Sequence, residues 1–137
     1  MTEIPMPDLN PDETALLLQA LDAMTENLQK LRRSIRDPIA QTSSDTILDC
    51  IISSRSKLRK RKTEFTQNEV AAVYLSLSEL RGGLSDMLDD LPAASDLRPK
   101  AQQAFRRANH LSRRMRQFFE AQDVDTAALL SLLRDAL

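Results

Sequence analysis

Between residues 98 and 116 the chain carries seven basic side chains and no acid. Lys100, Arg107 and Arg114 recur every seven residues, with Arg106 and Arg113 beside them. On a helix that spacing stacks them in two adjacent columns, a basic ridge about three turns long. Arginine binds phosphate bidentately, so such a ridge suits successive phosphates of a nucleic-acid backbone. Arg55, Arg59 and Lys62, in a second basic block, are candidates to extend it.

Other side chains offer less chemistry. With one histidine and one cysteine, the chain cannot build a zinc finger, a disulfide framework or a Cys/His metal cluster, and most histidine-dependent catalysis goes with them. His110 stands among arginines with no Ser-His-Asp order around it, and Cys50 borders an apolar stripe as a small core residue. Asp86, Asp89 and Asp90 crowd toward the end of a helix, where the macrodipole disfavours acids, a placement that suits an ion or a basic partner. No Glu-x-x-His pair accompanies them, so the di-metal bundle pattern is missing. These residues point to no enzyme, no cofactor, no metal and no small-molecule substrate.

The elements that position the ridge follow from composition and periodicity. At 137 residues, 42% hydrophobic and 28% charged, the chain suits a single folded domain. Its two glycines are too few for the turns of an all-β fold. Asn10-Pro11-Asp12-Glu13 combines an N-cap, an N1 proline and a capping box, so a first helix starts at Pro11. Its stripe is Leu17, Leu21, Met24, Leu28, Leu31 and Ile35, and Pro38 stops it near Arg36. The run Thr42-Ser43-Ser44-Asp45 reads as the cap of a second helix, with Ile47, Ile51, Ser54 and Leu58 inward and Leu48 and Ile52 widening the stripe.

Thr66 and Glu69 form another capping box, with Phe65 and Val70 at the hydrophobic-staple positions. The third helix carries Val70, Val73, Leu77, Leu80, Leu84, Met87 and Leu91, and Pro92 ends it. Within it, Gly82 and Gly83 suggest a kink or a close backbone contact. A fourth helix enters through Ser95-Asp96 or at Pro99 and carries Leu97, Ala101, Ala104, Ala108, Leu111, Met115 and Phe118, flanked by Phe105 and Phe119. A short fifth, from about Asp125 to Ala136, presents Leu129, Leu130, Leu133 and Leu137.

Long amphipathic helices with short polar breaks predict an all-α protein: an antiparallel up-and-down four-helix bundle with a short fifth C-terminal helix. Residues 10–137 form its single domain, and residues 1–9 an extension free to be flexible. The N-terminus has neither the basic start nor the apolar run of a secretory signal, and no apolar run reaches the length of a membrane span. Cys50 has no partner within the chain, which agrees with a reducing compartment. A cytoplasmic location is expected.

The net charge of −1 hides strong segregation: residues 1–30, 31–62, 63–97, 98–116 and 117–137 carry −5, +6, −6, +7 and −3. Such blocks can pair across helices, leaving a solvated charge network and no open ridge. An isoelectric point of about 5.8 is unusual for an independent nucleic-acid binder, and 4% aromatics leave few rings to stack on bases, so any binding is expected to be to backbone, without sequence readout and inside a larger assembly. In architecture the chain resembles the small helical subunits of CRISPR effector complexes, compact bundles whose basic faces line a nucleic-acid path. That resemblance implies a non-enzymatic accessory subunit of a larger nucleoprotein assembly. The alternative is an adaptor, chaperone or inhibitor whose charge blocks recognise a protein partner.

Overall fold

The computed structural model describes residues 3–128 and residue 131. In chain order it contains β1 (Glu3–Pro5), α1 (Pro11–Ser34), α2 (Pro38–Arg59), β2 (Glu64–Thr66), α3 (Gln67–Asp90) and α4 (Arg98–Glu120). The helices alternate in direction, as the all-α up-and-down bundle requires. Among the described residues no helix is long and apolar enough to cross a membrane.

Both capping boxes form. Asn10 accepts from the Glu13 N–H at 2.8 Å while Glu13 accepts from the Asn10 N–H at 3.0 Å; Thr66 and Glu69 do the same at 3.2 and 2.8 Å. Phe65 and Val70, the staple pair, are fully buried. Leu28, Leu77 and Leu111, central stripe residues of three helices, are buried as their periodicity predicts.

α2 starts earlier than the polar run at residues 42–45 suggested. Its N-cap is Asp37, which accepts from the Ile39 N–H at 3.1 Å, and Pro38 occupies N1. The proline that closes off α1 therefore also opens α2. Within the polar run, the Thr42 and Thr46 hydroxyls donate to the carbonyls of Pro38 and Thr42, both at 3.0 Å, so these side chains bond along the helix and do not break it.

Other stripe positions depart, most of them near helix ends and Ile52 within α2. Leu31, Ile52, Met87 and Leu97 are 43%, 57%, 48% and 60% exposed. In α4 the buried phenylalanine is Phe119, with Phe118 only half-buried. A strict seven-residue repeat drifts by about 20° per heptad on a straight helix, so five turns after buried Ala101 the inward position falls on Phe119. α3 runs unbroken through Gly82 and Gly83, and nothing lies within 4 Å of a Cβ at either, so no close backbone contact explains them.

α3 is the central element. It packs against α1, α2, α4 and both strands, and every residue from Glu69 to Leu77 is buried. The segment Val70-Ala71-Ala72-Val73-Tyr74-Leu75 is apolar all round, a composition that needs cover on every side. Part of that cover comes from the N-terminal segment. β1 pairs antiparallel with β2, Ile4 opposite Phe65, the Met6 N–H donates to the Thr63 carbonyl at 2.7 Å, and Ile4, Met6 and Pro7 are buried. Residues 3–9 thus contribute Ile4, Met6 and Pro7 to the core, while Glu3, Pro5 and Asp8 stay exposed.

The fifth helix begins after Asp125, whose carboxylate accepts from the N–H groups of Ala127 and Ala128 at 3.0 and 3.3 Å. Leu129, Leu130, Leu133 and Leu137 lie outside the described residues.

Candidate functional site

α4 buries Ala101, Ala108, Leu111, Ser112, Met115 and Phe119 against the bundle, which turns its opposite face to solvent. On that outer side Lys100, Arg106, Arg107, Arg113 and Arg116 are exposed, and among the described residues none of them forms an ion pair or hydrogen bond. Lys100 and Arg107 stand in one column and Arg106 and Arg113 in the next, each pair separated by about 10 Å along the axis. With no acid between Arg98 and Phe119, the charges that α4 itself brings to this face are of one sign.

The rest of the ridge is used inside the fold. Arg114 donates to the Glu13 carboxylate and to the Asp8 carbonyl, fastening α4 to the start of α1. Burial pushes the Glu13 carboxyl up, but the Asn10 N–H and the Arg114 guanidinium outweigh it and hold the carboxyl below its ordinary range. Arg98 donates from one nitrogen to the Leu88 and Leu91 carbonyls, both at 2.9 Å, and so caps α3 where no lysine or arginine of its own last turn does.

The α2 cations divide similarly. Arg55 pairs with Asp22 on α1 and approaches the Thr25 hydroxyl at 3.4 Å. Arg59 and Lys62 are exposed without acid partners, but they border a groove beside the N-terminal segment. α2 packs on α1 and α3, whereas α4 packs chiefly on α3, so no extensive interface joins the helix that ends at Arg59 to the one that carries the ridge. Of the eight predicted positions, four form the open face, Arg55 and Arg114 are internal ties, and Arg59 and Lys62 lie elsewhere. Arg116 joins the open face; it fell outside the seven-residue columns.

One polar cluster escaped detection in the sequence. Glu69, whose capping role was legible, also accepts from the Lys57 ammonium at 2.6 Å and from the Ser53 hydroxyl, joining α2 to the start of α3. Burial pushes its carboxyl up, yet Lys57, Ser53 and the Thr66 N–H more than offset this and hold it below the usual carboxylate range. Lys57 also lies 5.5 Å over the Phe65 ring. Burial and the nearby Glu69 and Asp49 carboxylates raise the Cys50 thiol above its ordinary range, which disfavours the nucleophilic thiolate. Among the described residues no three acid, histidine or cysteine side chains gather as a metal site. The sequence matches no family model and no curated protein, and the fold matches no solved structure.

Proposed function

We propose that the chain is a non-enzymatic helical subunit of a nucleoprotein assembly, which holds nucleic-acid backbone on the outer face of α4 without reading sequence. The observation that supports this is the open cation face: Lys100, Arg106, Arg107, Arg113 and Arg116 point away from the core and have no acid partner among the described residues. The fold satisfies Arg55, Arg98 and Arg114 with carboxylates or carbonyls. It leaves these five for an external anion. Phosphates fit, because each contact releases a counterion and needs no base-specific geometry.

The test is binding of labelled single- and double-stranded oligonucleotides at several salt concentrations. Replacing Arg106, Arg107 and Arg113 by Gln weakens association for every sequence alike and flattens the salt dependence by about two units of log–log slope. Arg114 is left intact, because its ties to Glu13 and Asp8 belong to the fold. A wild-type protein without measurable affinity for either form overturns the proposal. A protein-binding module is the second reading, favoured by Ile39 and Leu97, which are 77% and 60% exposed.

A further inference from the structure

Where α2 ends, its cap places a side chain in the left-handed region. The Arg61 N–H donates to the Leu58 carbonyl at 3.2 Å and the Lys62 N–H to the Lys57 carbonyl at 2.9 Å, the paired bonds of a Schellman motif. That motif places the residue after the cap in the left-handed region, where glycine is at ease. Here the position holds Arg61, with φ 55°. A side chain kept in a strained backbone position is a reason to ask what it faces.

Arg61 lines a groove of about 550 Å3, a size that suits a small ligand. The groove runs between the N-terminal segment, the first turns of α1 and the end of α2. Its apolar wall is Met6, Leu9, Leu18 and Leu58; its cations are Arg59, Arg61 and Lys62, all exposed and without an ion pair among the described residues. Asp8 is the one acid that lines it. Beyond Arg61, the carboxyl of Glu3 lies close enough to that of Glu64 to raise it above its ordinary range, and neither forms an ion pair with Arg61 or Lys62.

We propose that this groove binds a single-chain anionic amphiphile, its carboxylate or phosphate head among Arg59, Arg61 and Lys62 and its aliphatic tail over Met6, Leu9, Leu18 and Leu58. Three of the four apolar residues, Met6, Leu9 and Leu18, belong to the N-terminal segment and α1, whereas the cations follow Leu58 at the end of α2, and that partial segregation suits a molecule with a head and a tail. An extended peptide fits less well. Pro7 and Pro11 have no N–H to donate, and the helix backbones of the other walls bond internally, so no row of main-chain donors faces the groove. Nucleic acid fits less well too, since no aromatic ring lines the groove for a base to stack on.

The test is calorimetric titration of the full chain with dodecanoate below its micellar concentration, with dodecanol and acetate as the tail-only and head-only arms. One dodecanoate binds per chain, and dodecanol and acetate each bind at least about tenfold more weakly. Arg61→Gly separates the roles of this residue: it raises the melting temperature by releasing the left-handed strain, and it weakens dodecanoate about tenfold by removing a charge-assisted contact. Ala15→Trp, at an exposed position on the groove wall, blocks binding. The proposal is overturned by any of three results: dodecanoate does not saturate, dodecanol or acetate binds as tightly, or Arg61→Gly keeps full affinity. Association with vesicles of anionic lipid without binding of free dodecanoate also overturns it, since the groove would then not be the site.

Discussion

The first two and a half turns of α3 and the turns that follow share one apolar spacing and live in different surroundings. From Glu69 to Leu77 every side chain is buried; beyond that, Leu80 and Leu84 are half-buried and Met87 is 48% exposed. The difference lies in what surrounds the helix. At the strand end, β1, β2 and the staple of Phe65 and Val70 add to α1, α2 and α4. At the other end Leu31 of α1 and Ile39 of α2 turn out to solvent, 43% and 77% exposed. Periodicity reports which residues share a face, and burial depends on whether anything covers it.

The largest expected effect breaks this comparison directly. Leu77→Ala empties a fully buried site and costs about 2–5 kcal/mol, whereas Leu84→Ala, from the same stripe but half-buried, costs about 1 kcal/mol. Chemical denaturation of both variants measures the difference. Equal losses would mean that the far end is as well covered in solution as the strand end.

Next comes the Glu69 cluster, which holds α2 against the closed end. Glu69→Gln keeps the capping box, for which glutamine suffices, but loses the charge that Lys57 and Ser53 bond. The side chain is only 5% exposed, so the expected cost near pH 7 is about 2 kcal/mol. Because the folded carboxyl titrates below its unfolded value, its stabilisation is complete above that unfolded value, about 4.3, and is lost as pH falls through the folded one. The gap between wild type and variant is thus widest near neutrality and closes below about pH 4. A gap that widens in acid would show that Glu69 is not held ionised.

Thr66→Ala removes one partner of the same box and costs about 1 kcal/mol, with a lower denaturation midpoint and an unchanged slope. An unchanged midpoint would mean that the packing of Phe65 and Val70 alone fixes the start of α3.

What was legible in the sequence was local. Asn10 with Glu13 and Thr66 with Glu69 are three residues apart, and their bonds close within one turn, so the boundaries of α1 and α3 could be read directly. What escaped was decided by distant neighbours. Arg114 sits on the same column as Arg107, yet Glu13 and Asp8, more than a hundred residues earlier, claim it. The N-terminal strand spans three residues, too few for alternation to show, and only its pairing with β2 buries Ile4. The start of α2 was missed because threonine and serine favour caps and loops in general, while here Asp37 and Pro38 supply the cap and the first turn. For the candidate site, sequence spacing located the cation-rich helix, and the fold decided which cations remain open.

The smallest expected effect concerns the far half of α3, where Gly82 and Gly83 sit exposed inside a continuous helix. Neither has a positive φ, so neither uses the conformational freedom peculiar to glycine. A Cβ at either would meet nothing within 4 Å, so alanine fits without displacement. Gly82→Ala and Gly83→Ala should each stabilise the protein by about 0.5–1 kcal/mol, because alanine lowers the entropy of the unfolded chain and suits the helix better. Thermal melts followed by circular dichroism detect a gain of this size. A lower melting temperature in either variant would show that the backbone there bends, or takes a close neighbour, in solution. The far end of α3 would then be as constrained as the strand end, and the contrast between the two halves would not hold.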